Sequence, residues 1–214
     1  MNKKQALVMC LKPVRSVIFW AIIFVFSIGT AGANPELDYQ QARKLFKVGN
    51  YAESADRLHS AVAQGHLAAL LPLAAMYRAG QGVKQDFGQS LRLFSLAAEK
   101  GYPSAQFTLG VMYRAGEGAP KDYSVAMKWF LKAAHQGHQK SQNNLGTMFE
   151  HGRGVKTDYV IALMWYEIAA MNDNIMGARN QKRLARKLSP KDVLHAQKTA
   201  RSCLKSHYKT CNPN

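Results

Sequence analysis

The chain has 214 residues and a formal net charge of +16, which in an intracellular protein would point to nucleic acid. No nucleic-acid-binding motif is visible, and an export signal argues against that reading. The three cysteines are too few for a disulfide framework, and Cys10 falls inside the signal.

Residues 1–33 have the parts of a secretory signal. Lys3, Lys4, Lys12 and Arg15 carry the positive charge, Val17 to Ile28 is apolar, and Ala31, Gly32 and Ala33 supply small residues for cleavage before Asn34. The alternative is an uncleaved anchor, but the apolar run is short beside the ~20 residues that span a bilayer. The mature chain is therefore expected to be exported and not integral to the membrane, in the periplasm or secreted. Without the signal, 25 basic and 13 acidic residues remain, a net +12. The excess is uneven: from Ile175 onward ten Lys or Arg face Asp192 alone, a local +9, while 34–174 carries +3.

From residue 67 to 174 a phrase returns three times at an interval of 36 residues: AGQGVKQDF at 79–87, AGEGAPKDY at 115–123 and HGRGVKTDY at 151–159. A fixed period of this size predicts a solenoid, in which no unit buries its apolar face alone. In the middle unit Ala105, Leu109, Gly110 and Tyr113 share one helix face. Gly110, with Gly146 and Ala74 at equivalent places, predicts close approach by a second helix. The first helix is expected to stop at Ala115, before Gly116 and Gly118. Asp122, like Asp86 and Asp158, stands where the next helix needs an N-cap. That helix carries Tyr123, Ala126, Trp129, Phe130, Ala133 and Ala134 as a wide apolar stripe and ends at Gly137.

The pattern A-x-x-x-L-G-x-x-Y-x-x-G-x-G-V-x-x-D-[FY]-x-x-A-x-x-W-[FY]-x-x-A-A-x-x-G resembles the Sel-one-like repeat (SLR), a longer-looped relative of the tetratricopeptide repeat. Ala105–Gly137 and Ser141–Ala170 match well, while the unit beginning at Ala69 departs at Leu93 and Ser90. Upstream, Gln41–Gly65 is similar to an ordinary tetratricopeptide hairpin with the turn Gly49-Asn50-Tyr51, so residues 34–66 are expected to form a first hairpin ahead of the three units. The resemblance implies an all-α, right-handed superhelix of antiparallel helix pairs that binds proteins or peptides.

Residues 175–214 fit a basic cap. Met176–Leu188 continues as a helix, and Ser189, Pro190 and Asp192 open another, whose inner face is Val193, Ala196, Gln197 and Ala200. In an exported chain Cys203 and Cys211 either form one disulfide or remain two free thiols, and the oxidising compartment favours the bridge. Exported members of the family often end in a similar Leu-Ser-Pro helix and paired-cysteine tail. About ten helices are expected in one continuous domain.

Binding residues are expected on the concave face, lined by the first helix of each pair. Helical spacing puts Ser104, Phe107, Val111 and Arg114 on one side of the middle unit. Their counterparts are Leu71, Ala75 and Arg78 before it and Asn143, Thr147 and Glu150 after it. An exposed row of Leu71, Phe107 and Val111, flanked by Arg78 and Arg114, would suit an extended or helical peptide with an acidic group; alternatively some of these residues pack against neighbouring helices. A second expected surface is basic: Arg179, Lys182, Arg183, Arg186 and Lys187 against an anionic envelope polymer or lipid headgroup, or else a solvated helix face.

Other chemistry finds little support. His135 and His138 lie three apart, but no third ligand has a fixed spacing, so no metal is expected. The Gly-x-Gly loops lack a following Lys-Ser or Lys-Thr pair, so they read as turns, and no cofactor is expected. Ser104, Ser124 and Ser141 have no fixed His and carboxylate partners. One branch of cysteine-rich relatives binds and slowly hydrolyses β-lactams; its cysteine pair in each repeat is missing here, which leaves that reading a distant third.

Overall fold

The computed structural model describes residues 34–211, and the expected signal with Cys10 lies outside them. Among the described residues ten α-helices follow one another: α1 (Pro35–Lys47), α2 (Tyr51–Ala63), α3 (Leu70–Ala79), α4 (Phe87–Glu99), α5 (Pro103–Ala115), α6 (Tyr123–Ala134), α7 (Gln139–His151), α8 (Tyr159–Met171), α9 (Ile175–Ala185) and α10 (Pro190–Lys205). They pack as successive antiparallel pairs into a right-handed α-solenoid, with α9 and α10 both against α8. No helix among these residues is long and apolar enough to cross a membrane.

Local chemistry sets the helix ends. Gly116 closes α5 in the left-handed region at φ +83°, and its amide donates to the Met112 carbonyl. The second glycine of the loop has another purpose. A Cβ on Gly118 would stand 2.3 Å from the Phe87 carbonyl oxygen, so only hydrogen lets this loop rest on the preceding unit. Asp86, Asp122 and Asp158 each accept a bond from the first-turn amides of α4, α6 and α8. Asp173 replaces the glycine that ends the previous units, at φ +62°.

The small residue in the first helix does what its cost in a helix interior predicts. A Cβ at Gly110 would meet the Phe130 ring at 2.6 Å, and one at Gly146 the Tyr166 ring at 2.5 Å, so each ring lies directly on a neighbouring backbone. Polar relays also recur at the repeat interval. Gln106 Nε2 donates to the Ala98 carbonyl and Gln142 Nε2 to that of Ala134, while Gln136 and Asn172 donate back to the two glutamine oxygens at 2.7 and 2.9 Å. These buried amides are satisfied, and each ties one pair to the next.

The C-terminal cap follows the same logic. Ser189 Oγ accepts from the Asp192 amide, and Ala196 and Ala200 are buried. The helix expected over Met176–Leu188 ends earlier, at Ala185, because the chain turns toward the Ser189 cap. Cys203 and Cys211 form a disulfide, and the tail between them turns back so that Tyr208 accepts a bond from Asn172 at 2.9 Å.

Candidate binding surface

The faces of the first helices come into register once the hairpins are aligned on a shared hydrogen bond. Ser54 Oγ donates to the Ala42 carbonyl and Ser90 Oγ to that of Ala74, each at 2.8 Å. Ala42 is thus the counterpart of Ala74, so Arg43 and Phe46 of α1 correspond to Ala75 and Arg78 of α3. At the other end α9 is a fourth unit's first helix. Arg179, Arg183 and Arg186 follow Asn143, Thr147 and Glu150 by 36 residues each.

Three cavities run along this row and share walls. The first, about 350 Å³, lies between α1, α2 and α3 and includes Phe46, Leu58, Pro72 and Ala75. A second of about 590 Å³ shares Ala75 and Gln81 with it and adds Arg78 and Thr108. Thr108 also lines the third, about 440 Å³, with Ser104, Phe107, His138 and Lys140. They adjoin along the first helices from α1 to the start of α7, as a groove whose successive stretches meet at Ala75, Gln81 and Thr108.

The expected residues divide in four. Ala75 and Ser104 are exposed in the groove. Leu71, Phe107 and Val111 do not form the exposed row: all are half-buried, and Phe107 packs on His138 at 4.7 Å and on Phe130 at 5.9 Å between ring centres. The flanking arginines bind within the protein. Arg78 grips Glu117 through Nε at 2.7 Å and Nη2 at 3.2 Å, and Arg114 Nη1 donates to Asn144 at 2.6 Å.

The last part of the row is closed. Asn143 accepts from Asn180 of α9 at 2.9 Å, and Thr147 donates to the Asn143 carbonyl. Glu150 is 7% exposed, and Arg183 donates to both of its oxygens at 2.6 Å. The Tyr166 hydroxyl adds a third bond at 2.8 Å. Glu150 and Arg183, assigned from sequence to separate surfaces, therefore form one ion pair across stacked first helices. The Arg183 hydrogen bonds hold the Glu150 carboxyl below its usual value, against the opposing effect of burial. Burial, reinforced by that carboxylate, pushes the Tyr166 hydroxyl up.

The remaining basic residues Arg179, Lys182, Arg186 and Lys187 are exposed. Lys182 and Arg183 also sit in the last turn of α9, where the carbonyl ends favour positive charge. His138 accepts from the Ser141 amide and caps α7, while burial lowers the proton affinity of His135. Among the described residues no three His, Cys, Asp or Glu side chains are grouped to hold a metal.

Sequence reasoning missed the contribution of the first hairpin to the groove: Arg43, Phe46 and Lys47. Ser54 and Ser90, 36 residues apart, are the signal that would have revealed it. The turn of that hairpin is four residues shorter, which shifts α1 out of the visible period.

Comparison with known proteins agrees with this geometry. The model described as Sel1 repeat matches residues 67–102, 103–138 and 139–174. A protective antigen present in uropathogenic Escherichia coli strains, displaying an SLR fold, is 30% identical with a TM-score of 0.70, over 81% of this chain and 38% of its own. A Sel1 repeat protein from Oxalobacter formigenes is 31% identical with a TM-score of 0.62, over 67% of this chain and 59% of its own. The chain thus spans less than two thirds of either. No curated protein matches it.

Proposed function

The chain belongs to the Sel1 repeat family, whose repeats generally form non-catalytic scaffolds that bind proteins, and from that premise we propose that it is a bacterial envelope adaptor. It acts without catalysis, is exported to the periplasm, and holds a protein or peptide in the groove of its first helices. The observation that carries this reading is the succession of three adjoining cavities along the first helices from α1 to α7. Affinity capture from a bacterial envelope extract with the tagged chain, at low and high salt, tests it. A stoichiometric protein retained at high salt is the expected result, and its absence would remove the adaptor reading. Osmotic-shock fractionation of cells expressing the full chain tests export.

One observation favours a second reading. Arg179, Lys182, Arg186 and Lys187 are exposed at the closed end of the row, where an anionic envelope polymer or lipid headgroup would find positive charge. Binding through them weakens steeply with salt; a flat salt response would eliminate it.

A further inference from the structure

The cavity between α1, α2 and α3 is chemically unlike the rest of the groove. Ala42, Leu58, Pro72 and Met76 line it with the side of Phe46, a residue that is 39% exposed, and Gln81 is its one uncharged polar side chain besides Ser54. Ser54 also lines it, but its hydroxyl is engaged by the Ala42 carbonyl at 2.8 Å. Ser54 is also fully buried, so an entering apolar side chain leaves water without displacing a needed hydrogen bond, whereas a polar acceptor finds no free hydroxyl proton there. Charge around the cavity is of one sign. Arg43 and Lys47 line it and are exposed, and among the described residues neither has a carboxylate at ion-pair distance. Arg78, the next cation along the groove, is already held by Glu117 at 2.7 Å. Arg43 also lies over the Tyr39 ring at 5.7 Å and donates to Gln40 at 3.4 Å, contacts that orient its guanidinium without neutralising it. An apolar socket beside two exposed cations that form no ion pair is complementary to a bulky apolar side chain flanked by carboxylates.

We infer that this socket is the anchor of the groove and takes the bulky apolar side chain of an extended acidic peptide segment, whose carboxylates lie against Arg43 and Lys47. The inference rests on the scaffold reading above and fixes where the partner is gripped. The segment then runs past Ala75 and Thr108 toward Phe107 and Lys140. It stops short of the Glu150–Arg183 pair, where the row is closed.

Fluorescence anisotropy with three labelled heptapeptides tests it, using protein purified from cells expressing the full chain. One peptide has a central leucine among glutamates, the second alanine at that centre, and the third leucine among lysines. The acidic leucine peptide is expected to bind at least about tenfold tighter than the alanine version, and more weakly as salt rises. Reversing both cations, Arg43→Glu with Lys47→Glu, should abolish that binding while lowering the melting temperature by only a few degrees, since both side chains are exposed and the main loss is one positive charge at the carbonyl end of α1. Ala75→Trp narrows the socket and should reduce binding with the charges intact. Equal affinity for leucine and alanine peptides, for acidic and basic ones, or for wild type and the charge-reversed variant would overturn the inference. An envelope protein captured equally by wild type and charge-reversed chain would overturn the socket yet leave the scaffold; capture of nothing at high salt would overturn both.

Discussion

The two halves of the solenoid use one repeat in opposite ways. Around α1–α5 the buried core is largely alanine, leucine and methionine, with Phe94 as its buried aromatic, and the first helices leave a groove. Around α6–α10 the core holds Phe130, Phe149, Trp165 and Tyr166, and the corresponding face is shut by Arg183 and Glu150. Positions one period apart show the change: Leu93 is buried, Trp129 is half-buried with Lys132 over its ring at 4.2 Å, and Trp165 is wholly buried. Short side chains leave a solenoid open enough to bind, whereas long aromatic and ionic ones turn the same unit into a brace.

The largest expected effect tests the brace. Trp165→Ala should lower unfolding free energy by about 3–5 kcal/mol, since it empties the centre of the C-terminal core. Trp129→Ala should cost about half of that or less, because Trp129, although on α6, packs against the first core and is only half-buried. Urea unfolding followed by circular dichroism measures both, and equal losses would break the contrast between halves. Next comes the tail. Cys203→Ser with Cys211→Ser should cost about 2–3 kcal/mol by the entropy of closing that loop. A reductant should lower the wild-type midpoint similarly, and an unmoved midpoint would show that the tail does not brace α10.

The third prediction concerns the closure of the face. Glu150→Gln should cost about 1–2 kcal/mol, because it loses a charged double hydrogen bond while the partner arginine can still turn to water. Its pH dependence has a definite sign. The folded Glu150 carboxyl lies below its ordinary 4.5, so the unfolded chain binds more protons on this group at mildly acid pH. The stabilisation is thus present above about pH 4.5 and is lost as pH falls below that. Thermal melts at pH 7 and in that acid range should show a smaller acid loss in Glu150→Gln than in wild type. Parallel losses would mean that the pair does not set the acid response of the C-terminal half. Asp38 in α1, held low by hydrogen bonds from Ser60 and Arg57, loses stabilisation with acid in the same direction in the other half and is unaffected by this change.

Much of this contrast is legible in sequence only after the units are in register. The helix pairs, Asp caps and glycine stops are local chemistry and repeat visibly, so the fold and its family follow from the phrase at 79–87 and its two copies. The fourth first helix is hidden because Gln181 and Lys182 replace the Leu-Gly pair at Leu145 and Gly146. Arg179, Arg183 and Arg186 therefore read as a basic tail, although the interval of 36 already aligns them with Asn143, Thr147 and Glu150. Pairing of Arg183 with Glu150 depends on how far α9 leans on α7, which spacing does not encode. Whether Phe107 is exposed or packed stays open in the sequence for the same reason, since its cover, His138, comes from the next unit's cap.

The smallest effect belongs to the first glycine of the loops, which the two halves share. Gly80 in the open half and Gly116 at the junction both sit in the left-handed region, at φ +68° and +83°. A Cβ would stand 3.2 Å from Gln85 Cβ at Gly80 and 3.5 Å from the nearest Lys121 atom at Gly116, so Gly116→Val is resisted mainly by its backbone conformation. That costs at least about 1 kcal/mol. Gly118→Ala should cost more despite the smaller side chain, because its Cβ would enter the Phe87 carbonyl of the preceding unit at 2.3 Å. If Gly116→Val melts with the wild type, the loop is not held in this conformation. If it costs as much as Gly118→Ala, the first glycine is also packed against a neighbour, and the loops would then transmit strain between the open half and the braced one.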